Sequence, residues 1–193
     1  MSIRKKILAI SIGPVLVLGV ITLLFMLTMV KSSLMDEVQD ALKGTAAATL
    51  AAYDQNTGDY LESTNGDIWK GSYNISKSES LVDRIKENTG MDVTFFYGNK
   101  RIMTSALDKK GNRILGSEAG ERVVNQVIKG KKPFFSTNVS LDGTRNYGYF
   151  IPVYQNGTTD QVIGMVFVGT NKARKDAIVN KILGSITMAL LVV

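Results

Sequence analysis

The sequence predicts an α+β domain: a five-stranded antiparallel sheet with a long N-terminal helix, flanked by transmembrane helices. Three observations predict it. An uncharged apolar run fills Ile7 to Val30. A helical pattern continues beyond it, with Leu34, Val38, Leu42 and Thr45 spaced three or four apart. From Asp92 the apolar period drops to two, in segments punctuated by turn-forming glycine, asparagine and aspartate.

The run ILAISIGPVLVLGVITLLFMLTMV exceeds the roughly 20 apolar residues that a helix needs to cross a bilayer. Pro14 and two glycines are costly in a soluble helix but tolerated in a membrane one. Arg4, Lys5 and Lys6 precede the run, and Lys31 is soon followed by Asp36 and Glu37. The positive-inside rule therefore puts residues 1–6 in the cytoplasm, a transmembrane helix at 7–30 and the chain beyond it outside. The competing account is a cleaved secretory signal. Signals of that kind have apolar cores of about 7 to 15 residues and end at small residues, which TMVKSS matches poorly.

At the other end, ILGSITMALLVV (Ile182 to Val193) is again uncharged. It reads either as a buried terminal helix or as the start, within 178–193, of a second transmembrane helix truncated by the end of the sequence. Lys172, Arg174, Lys175 and Lys181 lie before it on the outer side, which opposes that topology mildly. The segment between, 31–173, is the expected extracytoplasmic domain.

Within that segment the first helix is expected over 32–54, its stripe widened by Ala41, Ala48 and Ala52. DIWKG (67–71) reads as a loop or short extended piece, with Trp69 as a packing anchor. A short helix follows, capped by Ser78 or Ser80, apolar through Leu81, Val82 and Ile85, and ended by Gly90. Strands are expected at 92–97, 101–106, 134–139, 145–151 and 162–169, with Gly98-Asn99 as a two-residue hairpin turn. Between them ALDKKGNRILGS is loop-like, and a helix capped near Ser117 presents Ala119, Val123 and Val127 on one side. Pro152 suits the end of a strand.

The chain has 193 residues, no cysteine and no histidine, which excludes disulfides, thiol chemistry and histidine-based zinc sites. No phosphate loop, nucleophile elbow or cofactor motif is present, so neither an enzyme nor a bound cofactor is expected. The net charge of +6 includes the membrane-flanking lysines and arginines, and no basic stripe with interleaved aromatics points to nucleic acid.

The hairpin DVTFFYGNKRIMTS carries the candidate site. With Gly98-Asn99 as the turn, simple alternation pairs Tyr97 with Lys100, Phe95 with Ile102 and Val93 with Thr104. Val93, Phe95 and Ile102 then face the supporting helices. Thr94, Phe96, Arg101, Met103 and Ser105 share the other face, a mixture suited to a small polar pocket. There Arg101 either holds a carboxylate through two hydrogen bonds or, one residue past the turn, points into solvent. Tyr147 and Tyr149 offer aromatic walls and hydroxyls from another strand, or serve as core residues with one wet end.

WKG, then LVDRIKENTGMDVTFFYGNKRIMTSALDKKGNRILGSEAGERVVNQVIKGKK, and finally YGYFIPVYQNGTTDQVIGMVFVG resemble the single Cache sensor domain of bacterial methyl-accepting chemotaxis proteins, over most of residues 66 to 170. The resemblance implies a PAS-like extracytoplasmic fold in a bacterial cell membrane, a homodimer, and a second span leading to a signalling region. Methylation and contacts to a kinase and its adaptor would belong to that cytoplasmic region, beyond this sequence. It implies small ligands, such as organic acids or amino acids, held between the sheet and its covering loops. The pocket would then draw on the 92–105 hairpin, the 107–117 loop and the 145–151 strand. The expected function is small-molecule sensing and transmembrane signalling in chemotaxis. The alternatives are the sensor of a membrane histidine kinase or cyclase regulator, or an anchored adhesion domain with no small ligand.

Overall fold

The computed structural model describes residues 3–191. Met1 and Ser2 of the expected cytoplasmic segment, and Val192 and Val193 of the expected second span, lie outside them. Helix α1 runs from Ile3 to Asp54 with Pro14 inside it. Two units are distinguished, one of Met1–Val38 with Asp176–Val193 and the other of Gln39–Lys175.

In the first unit, α1 is apolar and exposed along Val15 to Met29. Thr22 and Thr28 donate their hydroxyls to the carbonyls of Leu18 and Leu24, at 2.9 and 2.7 Å. Such back-bonding satisfies a hydroxyl where no water is at hand. Among the described residues, α1 is the one helix long and apolar enough to cross a membrane, with a mean hydropathy of 2.4 over its most apolar window. Helix α4, Lys172–Leu191, begins directly where the last strand ends and belongs to this unit from Asp176 onward.

The second unit holds the sheets. Strands β1 (Tyr60–Glu62), β2 (Ile68–Lys70) and β3 (Tyr73–Asn74) form a small antiparallel sheet where the sequence suggested a loop around DIWKG. Helix α2 spans Glu79–Thr89 and stops at Gly90, whose φ of 69° closes its end without steric cost. Ser78 precedes α2 but does not cap it through its side chain, because its hydroxyl is spent on the Tyr53 hydroxyl at 2.9 Å and the Ile75 carbonyl at 2.7 Å.

The main sheet comprises β4 (Asp92–Tyr97), β5 (Lys100–Thr104), β6 (Phe134–Leu141), β7 (Thr144–Tyr154) and β8 (Val162–Asn171), in the order β5-β4-β8-β7-β6, antiparallel throughout. Pro152 lies inside β7, paired with Met165 of β8. The pairing of β7 with β6 ends at Phe150, so the missing N–H of Pro152 breaks no ladder on that side.

One face of this sheet receives α1. Leu42, Ala46, Thr49 and Tyr53 are fully buried and four, three and four residues apart. The buried stripe is thus offset from the expected one, leaving Ala41 and Ala48 exposed. The Tyr53 and Tyr60 rings pack on Phe95 at centroid distances of 5.1 and 5.8 Å. The opposite face carries a second core of Phe96, Ala106, Val127, Leu141, Phe150, Met165 and Phe167. It is covered by α3, Glu121–Val123, which continues as a π-helical segment through Lys129.

That covering helix starts after Gly120, not near Ser117. Residues 114–119 are instead bound along the outer edge of β5. Arg101 N–H donates to the Ser117 carbonyl at 2.9 Å, and Gly116 and Ala119 N–H donate to the Arg101 and Asn99 carbonyls at 2.9 Å each. An irregular segment thereby occupies an edge that would otherwise stay open for pairing with another chain.

Candidate ligand site

The sheet face away from α1 borders a cavity of about 490 Å³, within the size range of small-molecule sites. Its lining follows the strand order. Arg101 comes from β5, Phe96 from β4, Phe167 from β8, Phe150 from β7, and Phe134 to Ser140 from β6. Glu118, Ala119, Gly120, Arg122 and Val123 border it from the covering segment. Phe96, Phe150 and Phe167 are buried, whereas Glu118 and Arg122 are exposed, so polarity is concentrated at the mouth.

The register of the β4–β5 hairpin decides which of the expected residues take part. The turn pairs Tyr97 with Lys100 as expected. Further in, the pairs are Phe96 with Arg101, Phe95 with Met103 and Thr94 with Thr104. Ile102 is the extra residue of a bulge, and the expected pairs Phe95–Ile102 and Val93–Thr104 do not form. The two ends of the hairpin impose this. The glycine-first turn, with Gly98 at φ 56°, fixes one end. At the other, the Thr94 and Thr104 hydroxyls share a 2.7 Å hydrogen bond, and Ser105 N–H meets the Val93 carbonyl at 2.9 Å. A bulge turns residues i and i+2 of its strand to opposite faces. Arg101 therefore stays beside Phe96 on the cavity face, while Met103 joins Phe95 on the α1 face.

Phe96 and Arg101 are thus the two expected residues that line the cavity. Thr94 is buried beneath it, its hydroxyl committed to Thr104. The Ser105 hydroxyl bonds the Val93 N–H at 2.9 Å and the Asp92 carboxylate at 3.2 Å, on the far face. Tyr147 and Tyr149 alternate with Phe150 and so face away from the cavity. The Tyr147 ring lies 6.3 Å from that of Phe135, and its hydroxyl accepts from the Lys172 ammonium at 2.8 Å. The sequence reading missed the contribution of β6 and of residues 118–123. A signal was present in Phe150 and Gly148, which strand alternation sets opposite the tyrosines.

Arg101 is 7% exposed. Its guanidinium carbon lies 5.4 Å from the centre of the Phe96 ring, and one terminal nitrogen donates to the Ile114 carbonyl at 3.3 Å. Its Nε is buried and makes no hydrogen bond to any described residue. Burial pulls the pKa of the guanidinium below its ordinary value, with Asp92 opposing the shift. Neither nearby carboxylate forms an ion pair with it. Asp92 pairs with Lys86 at 2.8 Å, and Glu118, which lines the same cavity, is exposed at its mouth. Burying a cation without a counter-ion costs several kcal/mol, and an orphaned N–H adds to that cost. A carboxylate in the cavity would supply both the missing charge and the missing acceptor.

A family model for single cache domain 3 matches residues 73–182, more than half of the chain. The chain belongs to the single Cache domain family. Cache domains are extracytoplasmic sensors of membrane proteins, consistent with the apolar N-terminal helix here. Two solved structures share this Cache fold. An extracellular ligand-binding receptor from Desulfohalobium retbaense superposes with a TM-score of 0.53 at 17% identity, covering 80% of this chain and 26% of its own. The ligand-binding domain of the Campylobacter jejuni chemoreceptor Tlp3, solved with L-valine, gives 0.53 at 11% identity, covering 79% of this chain and 60% of its own. The chain thus spans less than two thirds of either structure, and both likenesses concern the fold. No curated protein matches it.

Proposed function

We propose that this Cache domain is the extracytoplasmic sensor of a transmembrane chemotaxis receptor and binds a small carboxylate, an organic acid or amino acid, in the cavity beside Arg101. The buried guanidinium with an unpartnered Nε carries this reading. The Campylobacter domain solved with L-valine, from a chemoreceptor, supports it by analogy of fold. In this reading residues 1–6 are cytoplasmic, 7–30 cross the membrane, 31–173 lie outside, and a second span begins within 178–193. The receptor acts as a homodimer whose signalling region follows α4.

A ligand transmits a signal only by binding one arrangement of the domain more tightly than another. Phe167 of β8 lines the cavity, and β8 runs to Asn171 with α4 starting at Lys172. A displacement of β8 on binding therefore has a covalent route into α4 with no linker to absorb it.

The test is thermal unfolding of the full chain in lipid nanodiscs against a panel of small carboxylates. A binder at a hundredfold excess over its Kd should add about 2.7 kcal/mol of stability, and Arg101→Ala should remove that gain. A gain that survives Arg101→Ala, or a panel without effect, contradicts the assignment.

A further inference from the structure

We infer that the ligand is an aromatic carboxylate with a single negative charge, its carboxylate at Arg101 and its ring over the phenylalanines of β4, β8 and β7. This rests on the carboxylate-sensor reading above and narrows its ligand class.

The aromatic groups lining the cavity are ordered across the sheet. Neighbouring strands lie about 4.8 Å apart. Moving away from Arg101, the cavity meets Phe96, then Phe167, then Phe150, one aromatic ring from each central strand. The Phe167 and Phe150 centroids are 4.7 Å apart, and those of Phe150 and Phe134 are 6.4 Å apart, which makes the apolar band continuous. A ligand held at Arg101 has that band beside it before it reaches Ser136, Thr137, Asn138 and Ser140 of β6 at the far edge of the cavity.

Charge then excludes the hydrophilic alternatives. A dicarboxylate bound at Arg101 would set its second charge against phenylalanine. The other guanidinium at the cavity, Arg122, is exposed and lies 5.4 Å over the Phe134 ring at the far side. An α-amino acid would carry its ammonium within a few ångströms of the buried guanidinium. Glu118 is the one carboxylate among the described lining residues, and it is exposed at the mouth. An aromatic body is favoured over an aliphatic one of equal size because ring pairs add edge-to-face attraction beyond area burial.

Phenylacetate, its neutral isostere phenylacetamide, cyclohexylacetate, L-phenylalanine and succinate form the test set, titrated calorimetrically into the full chain in nanodiscs. The expected order is led by phenylacetate. It should bind at least about tenfold more tightly than phenylacetamide, succinate or L-phenylalanine, and about threefold more tightly than cyclohexylacetate, as a charged partner and ring pairing each predict. Arg101→Ala should abolish its advantage over phenylacetamide. Arg101→Met, which keeps the length of the side chain, gives the same readout if the alanine variant unfolds. Should succinate or cyclohexylacetate bind best and still require Arg101, the aromatic class is overturned; should L-phenylalanine do so, the exclusion of the ammonium is overturned; in each case the carboxylate sensor stands. Should no compound bind in an Arg101-dependent way, both fall.

Discussion

Arg101 stands directly across the β4–β5 ladder from Phe96, its guanidinium carbon 5.4 Å from the centre of that ring. The pair exists because Ile102 is bulged between Arg101 and Met103. The same bulge separates a cavity-facing arginine from a core-facing methionine two residues along. Arg101 should therefore act as a functional cation with little structural value. With its charge buried without a counter-ion and its Nε unpaired, Arg101 strains the empty domain, so Arg101→Ala should not destabilise the ligand-free chain and should raise its stability. Chemical denaturation measures this, and a loss of several kcal/mol would make Arg101 a structural residue.

Arg113 should behave in the opposite way. It bridges Asp83 of α2 and the Thr104 carbonyl, each at 2.8 Å, and so ties the segment after β5 to the domain. Arg113→Ala should cost about 1 kcal/mol, because the pair is partly exposed. Stability unchanged to within a few tenths of a kcal/mol would show that the bridge holds nothing.

The hydrogen bond from Arg113 keeps the Asp83 carboxyl below the usual carboxylate range. A carboxylate with a lowered folded pKa contributes in full above its unfolded value of about 4, and loses that contribution as pH falls through the folded value. Asp83→Asn should therefore lower stability at neutral pH and converge with the parent chain in acid. Denaturation at pH 7 and near pH 2 tests the sign, and a gap that widens in acid would contradict it.

Gly148 supports the cavity floor. A Cβ added there would lie 2.5 Å from the Phe167 ring and 2.8 Å from the Val139 side chain, both of which line the cavity. Gly148→Ala should cost about 1 to 3 kcal/mol by overpacking and weaken ligand binding by displacing Phe167. Full stability with unaltered binding would mean that the ring has room to give way.

Much of the fold was legible because periodicity reports burial. All five main strands and α2 sit within a few residues of the expected positions, and the uncharged run marks the apolar part of α1. The site was less legible, for two physical reasons. A β-bulge inverts every face assignment beyond it, and nothing in KRIMT marks Ile102 as the extra residue. Alternation accordingly placed Met103 and Ser105 beside Arg101, when both belong to the α1 side. Residues 114–119, read as the end of a loop and the start of a helix, satisfy their backbone by pairing with β5, a long-range contact that local propensity does not encode.

The most direct test is a structure of the chain with a saturating aromatic carboxylate. A carboxylate oxygen is expected within about 3 Å of Arg101 Nε, the distance of a charge-assisted hydrogen bond, with a ring lying over Phe96 and Phe167. A carboxylate held at the mouth by Arg122, or a ligand bound on the α1 side of the sheet, would contradict it.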